Sequence, residues 1–212
     1  MKFYESGDNR KPVIFLFPGT CCLYSSFDHV LDGLHSYFYT VTVSYDGFDP
    51  NEKTEFYSME DECEKIEQEI RKKYDGRIKA AYGCSLGGSF VSLLIQRKRI
   101  HIEHGIIGSS DMDEAGNLVA KIQASMVVPF MYKMVHTGAL PKFMQKKLNK
   151  TDEAKKELYN GFLNMFGIGK GGCPWITKQS IYNQFYSDLV TKVQHGIDVP
   201  GTTIHVFYAT KM

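Results

Sequence analysis

Up to about residue 110, short runs of β-branched and aromatic residues alternate with stretches whose apolar positions recur at helical spacing. That alternation predicts strands joined by helical crossovers around a mainly parallel sheet, an α/β fold class. The run VIFLF (13–17) reads as a buried strand ending at the breaker Pro18-Gly19-Thr20. In SSFDHVLDGLHSYF (25–38), Phe27, Val30, Leu31 and Leu34 share one helical face. YTVTVSY (39–45) is the next strand, closed by DGFDP. MEDECEKIEQEIRKKY (59–74) places its acids early and its bases late, which suits a helix dipole. Ile66, Ile70 and Tyr74 line its apolar face and Gly76 stops it. RIKAAYG (77–83) is a third strand, GSFVSLLIQRKR (88–99) a helix and HIEHGIIGSS (101–110) a fourth strand.

The rhythm then changes. Residues 112–190 keep helical periodicity but offer no convincing buried strand, and a strand pattern returns only at TTIHVFYATKM (202–212). This divides the chain into a first part of the core at 1–111, a helical insertion at 112–190 and a return to the sheet at 191–212. Six of the nine methionines (Met112, Met126, Met131, Met134, Met144 and Met165) and the single tryptophan, Trp175, lie in the insertion. Its apolar faces bury against the sheet, or line a pocket for a flexible apolar group; the two roles are compatible.

Composition narrows the function classes. With 25 basic and 24 acidic residues the chain has a formal charge of +1, so nothing points to nucleic acid or an anionic membrane. The opening MKFYESGDNRKP has no apolar run after its charges and is not a secretory signal. No stretch reaches the roughly 18 uninterrupted apolar residues of a spanning helix; ASMVVPFMYKMV is broken by Pro129 and Lys133. Five scattered cysteines (21, 22, 63, 84 and 173) form neither a disulfide framework nor a zinc pattern, and reduced thiols in a cytoplasmic protein are expected.

The chemistry candidate is Gly83-Cys84-Ser85-Leu86-Gly87, a G-x-S-x-G sequence with a strand before it and an apolar helix after it. A sharp turn there needs small neighbours and lifts the Ser85 hydroxyl clear of the sheet, while the helix N-terminus directs free N–H groups toward it. A phosphate-cradling loop or a plain tight turn uses glycines in the same way. Cys84 reads as a small buried filler.

FLFPGT (15–20) lies about 65 residues before the serine and ends the first strong strand. With these two segments in this order, the chain resembles the α/β-hydrolase superfamily in its serine-hydrolase branch of esterases, lipases and thioesterases. The resemblance implies a mainly parallel sheet of the α/β-hydrolase type with a helical cap, C-terminally incomplete. It places half of an oxyanion hole at the N–H of Thr20, or of Cys21, and the other half at the N–H of Leu86.

It also implies an acid and then a histidine after the serine. Met212 stands near the implied acid position, and no residues follow to supply the last strand or the histidine. Asp111 is the first choice for a substitute acid, with Asp113 beside it; both equally suit a helix cap or a solvated loop. None of the seven histidines (29, 35, 101, 104, 136, 195, 205) holds the implied position of the base. A shortened chain is the simplest reading, and it leaves an edge strand near 203–209 through which a homodimer would form.

Other patterns fall away. GIGKGG (167–172) has Asn164 and Gly171 where a Walker loop needs glycine and Ser/Thr. DMDEAG carries Ala115 at a ligand place and Ile122 at the twelfth position of a calcium loop. His101 and His104, three apart on a strand, face opposite sides and share no metal. No cofactor and no metal are expected. The functional expectation is hydrolysis of a small apolar carboxylic ester or thioester; a non-catalytic ligand-binding module and an acyltransferase or C–C bond hydrolase are the alternatives.

Overall fold

The computed structural model describes residues 1–110, 114–166 and 171–207. Its elements run β1 (Lys2–Ser6), β2 (Val13–Phe17), α1 (Asp28–His35), β3 (Tyr39–Ser44), α2 (Met59–Tyr74), β4 (Arg77–Cys84) and α3 (Leu86–Arg97). Then follow β5 (His101–Gly108), α4 (Asn117–Thr137), α5 (Lys142–Asn149), α6 (Glu153–Asn164), α7 (Lys178–Val190) and β6 (Thr203–Phe207). One six-stranded sheet has the order β1-β3-β2-β4-β5-β6, parallel except for the β1–β3 pair. Parallel strands need crossovers, and α1, α2 and α3 supply them.

Two of the sequence boundaries shift. The segment 25–38 divides into a 3-10 turn, Tyr24–Phe27, and the shorter α1, in which no residue is buried. Phe27, Leu31 and Leu34 pack with Phe38 and Tyr82 against Ile14, Leu16 and Ala80, whereas Val30 stays exposed. β1 was not foreseen, because KFYES carries only two apolar side chains. Pairing with β3 creates it: Phe3 sits edge-on to Phe15, and the Tyr4 hydroxyl donates to Asp49 at 2.7 Å.

The other side of the sheet holds the main core. Phe15, Phe17, Tyr45, Phe56 and Phe90 are buried there beneath α2 and α3, and Tyr45 stacks on Phe90 at 4.7 Å. α2 starts at Ser58, whose side chain accepts from the Asp61 N–H, and ends at Asp75 in a left-handed conformation, one residue before Gly76.

Where β3 meets α2, Glu62 is fully buried. It accepts the Asp46 N–H at 3.0 Å and Lys65 Nζ at 2.9 Å, and the same ammonium bridges Asp46 and Asp61 at 2.5 Å each. The only group of three carboxylates with ligand-like spacing among the described residues is therefore already bridged by the Lys65 ammonium. Burial, then the Asp46 charge, pushes the Glu62 carboxyl up to about 7. That lies above an unfolded carboxyl near ~4.3, so the folded chain holds this proton more tightly. Stability from Glu62 is full below that window and is lost as pH rises toward 7. Glu62→Gln removes the effect. Between about pH 4 and 8, the unfolding free-energy difference should move in the variant's favour by about 2–3 kcal/mol in urea titrations. A difference that stays constant over that range contradicts it.

α4 runs unbroken through Pro129 and Lys133 for 21 residues, so by length and composition it is long and apolar enough to cross a membrane. Of its apolar window, 28% is buried: Ala120, Ala124 and Val128 recur every four residues, and the helix packs on α7. Its other face exposes Leu118, Ile122 and Met126. At the sheet margin β6 pairs only with β5 among the described residues, and Val206 and Phe207 are 55% and 63% exposed.

Candidate active site

Ser85 sits between β4 and α3 with φ +54° and ψ −127°. Such a conformation costs on the order of 1–3 kcal/mol in a non-glycine residue and persists only when its surroundings enforce it. Here the Ser85 N–H donates to the Gly108 carbonyl at 2.9 Å, and the Ser85 carbonyl accepts the Gly88 N–H at 2.8 Å. The turn is closed so tightly that a Cβ on Gly83 would stand 2.0 Å from the Gly87 carbonyl oxygen. Ser85 is exposed, and its Oγ has no hydrogen-bond partner among the described residues.

The Pro18-Gly19-Thr20 loop lies against this turn. A Cβ on Gly19 would fall 3.3 Å from the Cys84 carbonyl oxygen and 3.7 Å from Ser85 Cβ. The buried Tyr45 hydroxyl donates to the Pro18 carbonyl at 3.1 Å and fixes the loop from below. Of the two amides left open by the sequence, Cys21 is engaged: its N–H donates to Gln184 Oε1 at 2.7 Å. The Cys22 N–H returns to the Gly19 carbonyl at 3.0 Å. Neither the Thr20 N–H nor the Leu86 N–H has a partner among the described residues.

Gln184 was not anticipated, and one glutamine on a cap helix gives no sequence signal. It is fully buried on α7, and its Nε2 has no partner among the described residues, a deficit of about 1–3 kcal/mol. Asp111 and Asp113 lie outside the described residues, as does Met212. The histidines scatter. His35 is held by Ser6 Oγ at 2.9 Å, and His104 meets His205 at the sheet margin. His136 stacks on Tyr132 in the cap with its Nδ1 buried and unpartnered among the described residues.

A cavity of about 750 Å³ opens at Ser85 and runs down the α1 side of the sheet. Thr20, Leu16, Leu34, Tyr82, Met131 and Phe185 are among its walls, so both the sheet layer and the cap contribute. Ile14 also lines it and pairs with Ala80, five residues before Ser85. At about 3.3 Å per residue the lining therefore spans about 16 Å along the strands. Among the described residues the lining contains no Asp, Glu, Lys or Arg, and His29 is its only histidine. No pattern in the sequence favoured His29 on α1; the cavity wall singles it out. Its ring nitrogens have no partner among the described residues.

Cys22 and Cys84 also border the cavity. Burial, then the neighbouring Cys84, pushes the Cys22 thiol up to about 12; burial also raises Cys84. Both are therefore protonated at neutral pH and are poor nucleophiles beside the exposed hydroxyl.

Neither a family model nor a curated protein matches the sequence. Solved structures match the fold. An alpha/beta hydrolase family protein from Desulfitobacterium hafniense superimposes with a TM-score of 0.69 at 15% identity, covering 89% of this chain and 72% of that one. A structure from work on carboxylesterases of the thaumarchaeon Nitrososphaera gargenis gives 0.68 at 14% identity, covering 97% and 74%. The type II thioesterase BorB of the borrelidin biosynthetic cluster gives 0.63 at 11% identity, covering 96% and 76%. The chain has the α/β-hydrolase fold.

Proposed function

We propose that this α/β-hydrolase-fold chain is a serine hydrolase that cleaves a carboxylic ester or thioester of an apolar acyl group. The carrying observation, among the described residues, is the strained, exposed and unbonded Ser85 hydroxyl at the mouth of a cavity without charged side chains, beside two unpaired N–H groups. Ser85 Oγ attacks the carbonyl carbon, and the carbonyl electron pair moves to oxygen, where Thr20 and Leu86 donate to it. His29 takes the hydroxyl proton and returns it to the departing alcohol or thiol; water then reverses the sequence to release the acid. The span of the lining argues for more than a small acyl group: at about 1.2 Å per bond, about 16 Å takes about a dozen carbons.

A series of p-nitrophenyl esters from acetate to hexadecanoate, with Ser85→Ala as control, tests this. kcat/KM should rise by up to about fourfold per methylene and level off near twelve carbons. A flat profile contradicts the acyl site, and activity that survives Ser85→Ala contradicts the nucleophile. One observation favours a second reading, a non-catalytic ligand-binding module: no histidine is hydrogen-bonded to Ser85 among the described residues.

The five free cysteines suit a reducing compartment such as the cytoplasm. The open margin of β6 would be the surface for a homodimer. Sedimentation at high concentration should then give twice the chain mass, and a strictly monomeric species would count against it.

A further inference from the structure

We propose that His104 on β5 and His205 on β6 form a two-histidine site for a divalent transition cation of the zinc type. The two strands are parallel neighbours in which Ile106 pairs with His205, so residues 104 and 205 stand two positions apart on the same side of the sheet. His104 Nδ1 and His205 Nε2 approach to 3.3 Å. That is long for a hydrogen bond, which prefers about 2.7–3.2 Å between heavy atoms. It is the separation a tetrahedral ion imposes: two nitrogens each bound at about 2.0–2.1 Å stand about 3.3–3.4 Å apart.

Tautomer chemistry agrees. A ligating imidazole holds its proton on the other nitrogen and commonly offers it to a carboxylate. His104 Nε2 faces Glu103 Oε1 at 3.6 Å, too long for a hydrogen bond but close enough for the carboxylate charge to favour the proton on Nε2 and the lone pair on Nδ1. Lys79 pairs with the same carboxylate and so offsets its charge. His205 Nδ1 has no partner among the described residues and can carry its proton toward solvent. Both rings are at least partly exposed, so water can fill the remaining coordination positions of a zinc, nickel or copper ion, all of which accept imidazole. Such an ion would tie the marginal strand β6 to β5 and stabilise the folded chain by mass action.

Zinc chloride titrated into the whole chain at about pH 7.5, followed by calorimetry, tests the site. One ion per chain is expected. His104→Gln and His205→Gln should each weaken binding by at least the roughly tenfold to hundredfold that even an outer partner costs. The double variant should be no weaker than either single one. Cobalt should bind in competition with zinc and give a visible spectrum without a thiolate charge-transfer band. No zinc binding by the native chain overturns the proposal. So does undiminished binding by both single variants, or a thiolate band, since the ion then lies elsewhere.

Discussion

Gly87→Ala is expected to lower stability by about 3 kcal/mol or more, a large share of the 5–15 kcal/mol that holds a domain of this kind together. The added Cβ would stand 2.1 Å from the Phe17 carbonyl oxygen and 2.9 Å from its carbon, with the Pro18 carbonyl oxygen at 3.1 Å. All three are backbone atoms at the end of β2, a strand held by β3 on one side and β4 on the other. No rotamer change relieves such a contact. The strand end or the start of α3 has to move, and overpacking of this sort exceeds the usual 1–3 kcal/mol when only backbone can yield. Gly161→Ala is the matched control: it lies in α6 with no atom near its absent Cβ, and should gain about 0.5–1 kcal/mol of helix propensity. Urea midpoints at an unchanged slope measure both. A Gly87→Ala chain within 1 kcal/mol of the native one would mean that the turn is less closed than described.

The second large effect is kinetic. Ser85→Ala should abolish labelling by a fluorophosphonate, since the covalent bond forms on that oxygen. His29→Gln should leave Ser85 labelled but slow the reaction by about 10²–10⁴, the usual contribution of a positioned base. Imidazole added to His29→Ala should restore part of the rate. Labelling at the native rate in His29→Gln removes His29 as the base and leaves Ser85 in place. A native chain that does not label removes both, and the binding-module reading then stands.

The parallel strands were legible because each combines a dense apolar run with a breaker, as in VIFLF before Pro18. The turn at Ser85 was legible because glycine spacing records a steric demand that no other residue type meets. β1 was not, since KFYES becomes a strand through hydrogen bonds to β3 rather than through its own pattern. The unbroken α4 was missed for a related reason. Pro129 forfeits one intrahelical bond, but the stripe of Ala120, Ala124 and Val128 against α7 holds both halves in line. Gln184 and His29 were invisible in another way. Each acquires meaning only from what the fold sets opposite it, the Cys21 amide in one case and the Ser85 cavity in the other.

The bond from Cys21 to Gln184 joins two regions that are 163 residues apart in the chain. It makes α7 a latch on the loop that faces Ser85. An acyl group bulky enough to lever α7 outward would release the Cys21 amide and change the set of donors around the carbonyl oxygen. Selectivity among substrates would then depend on how far each one pries the latch, as well as on how well it fits the cavity at rest.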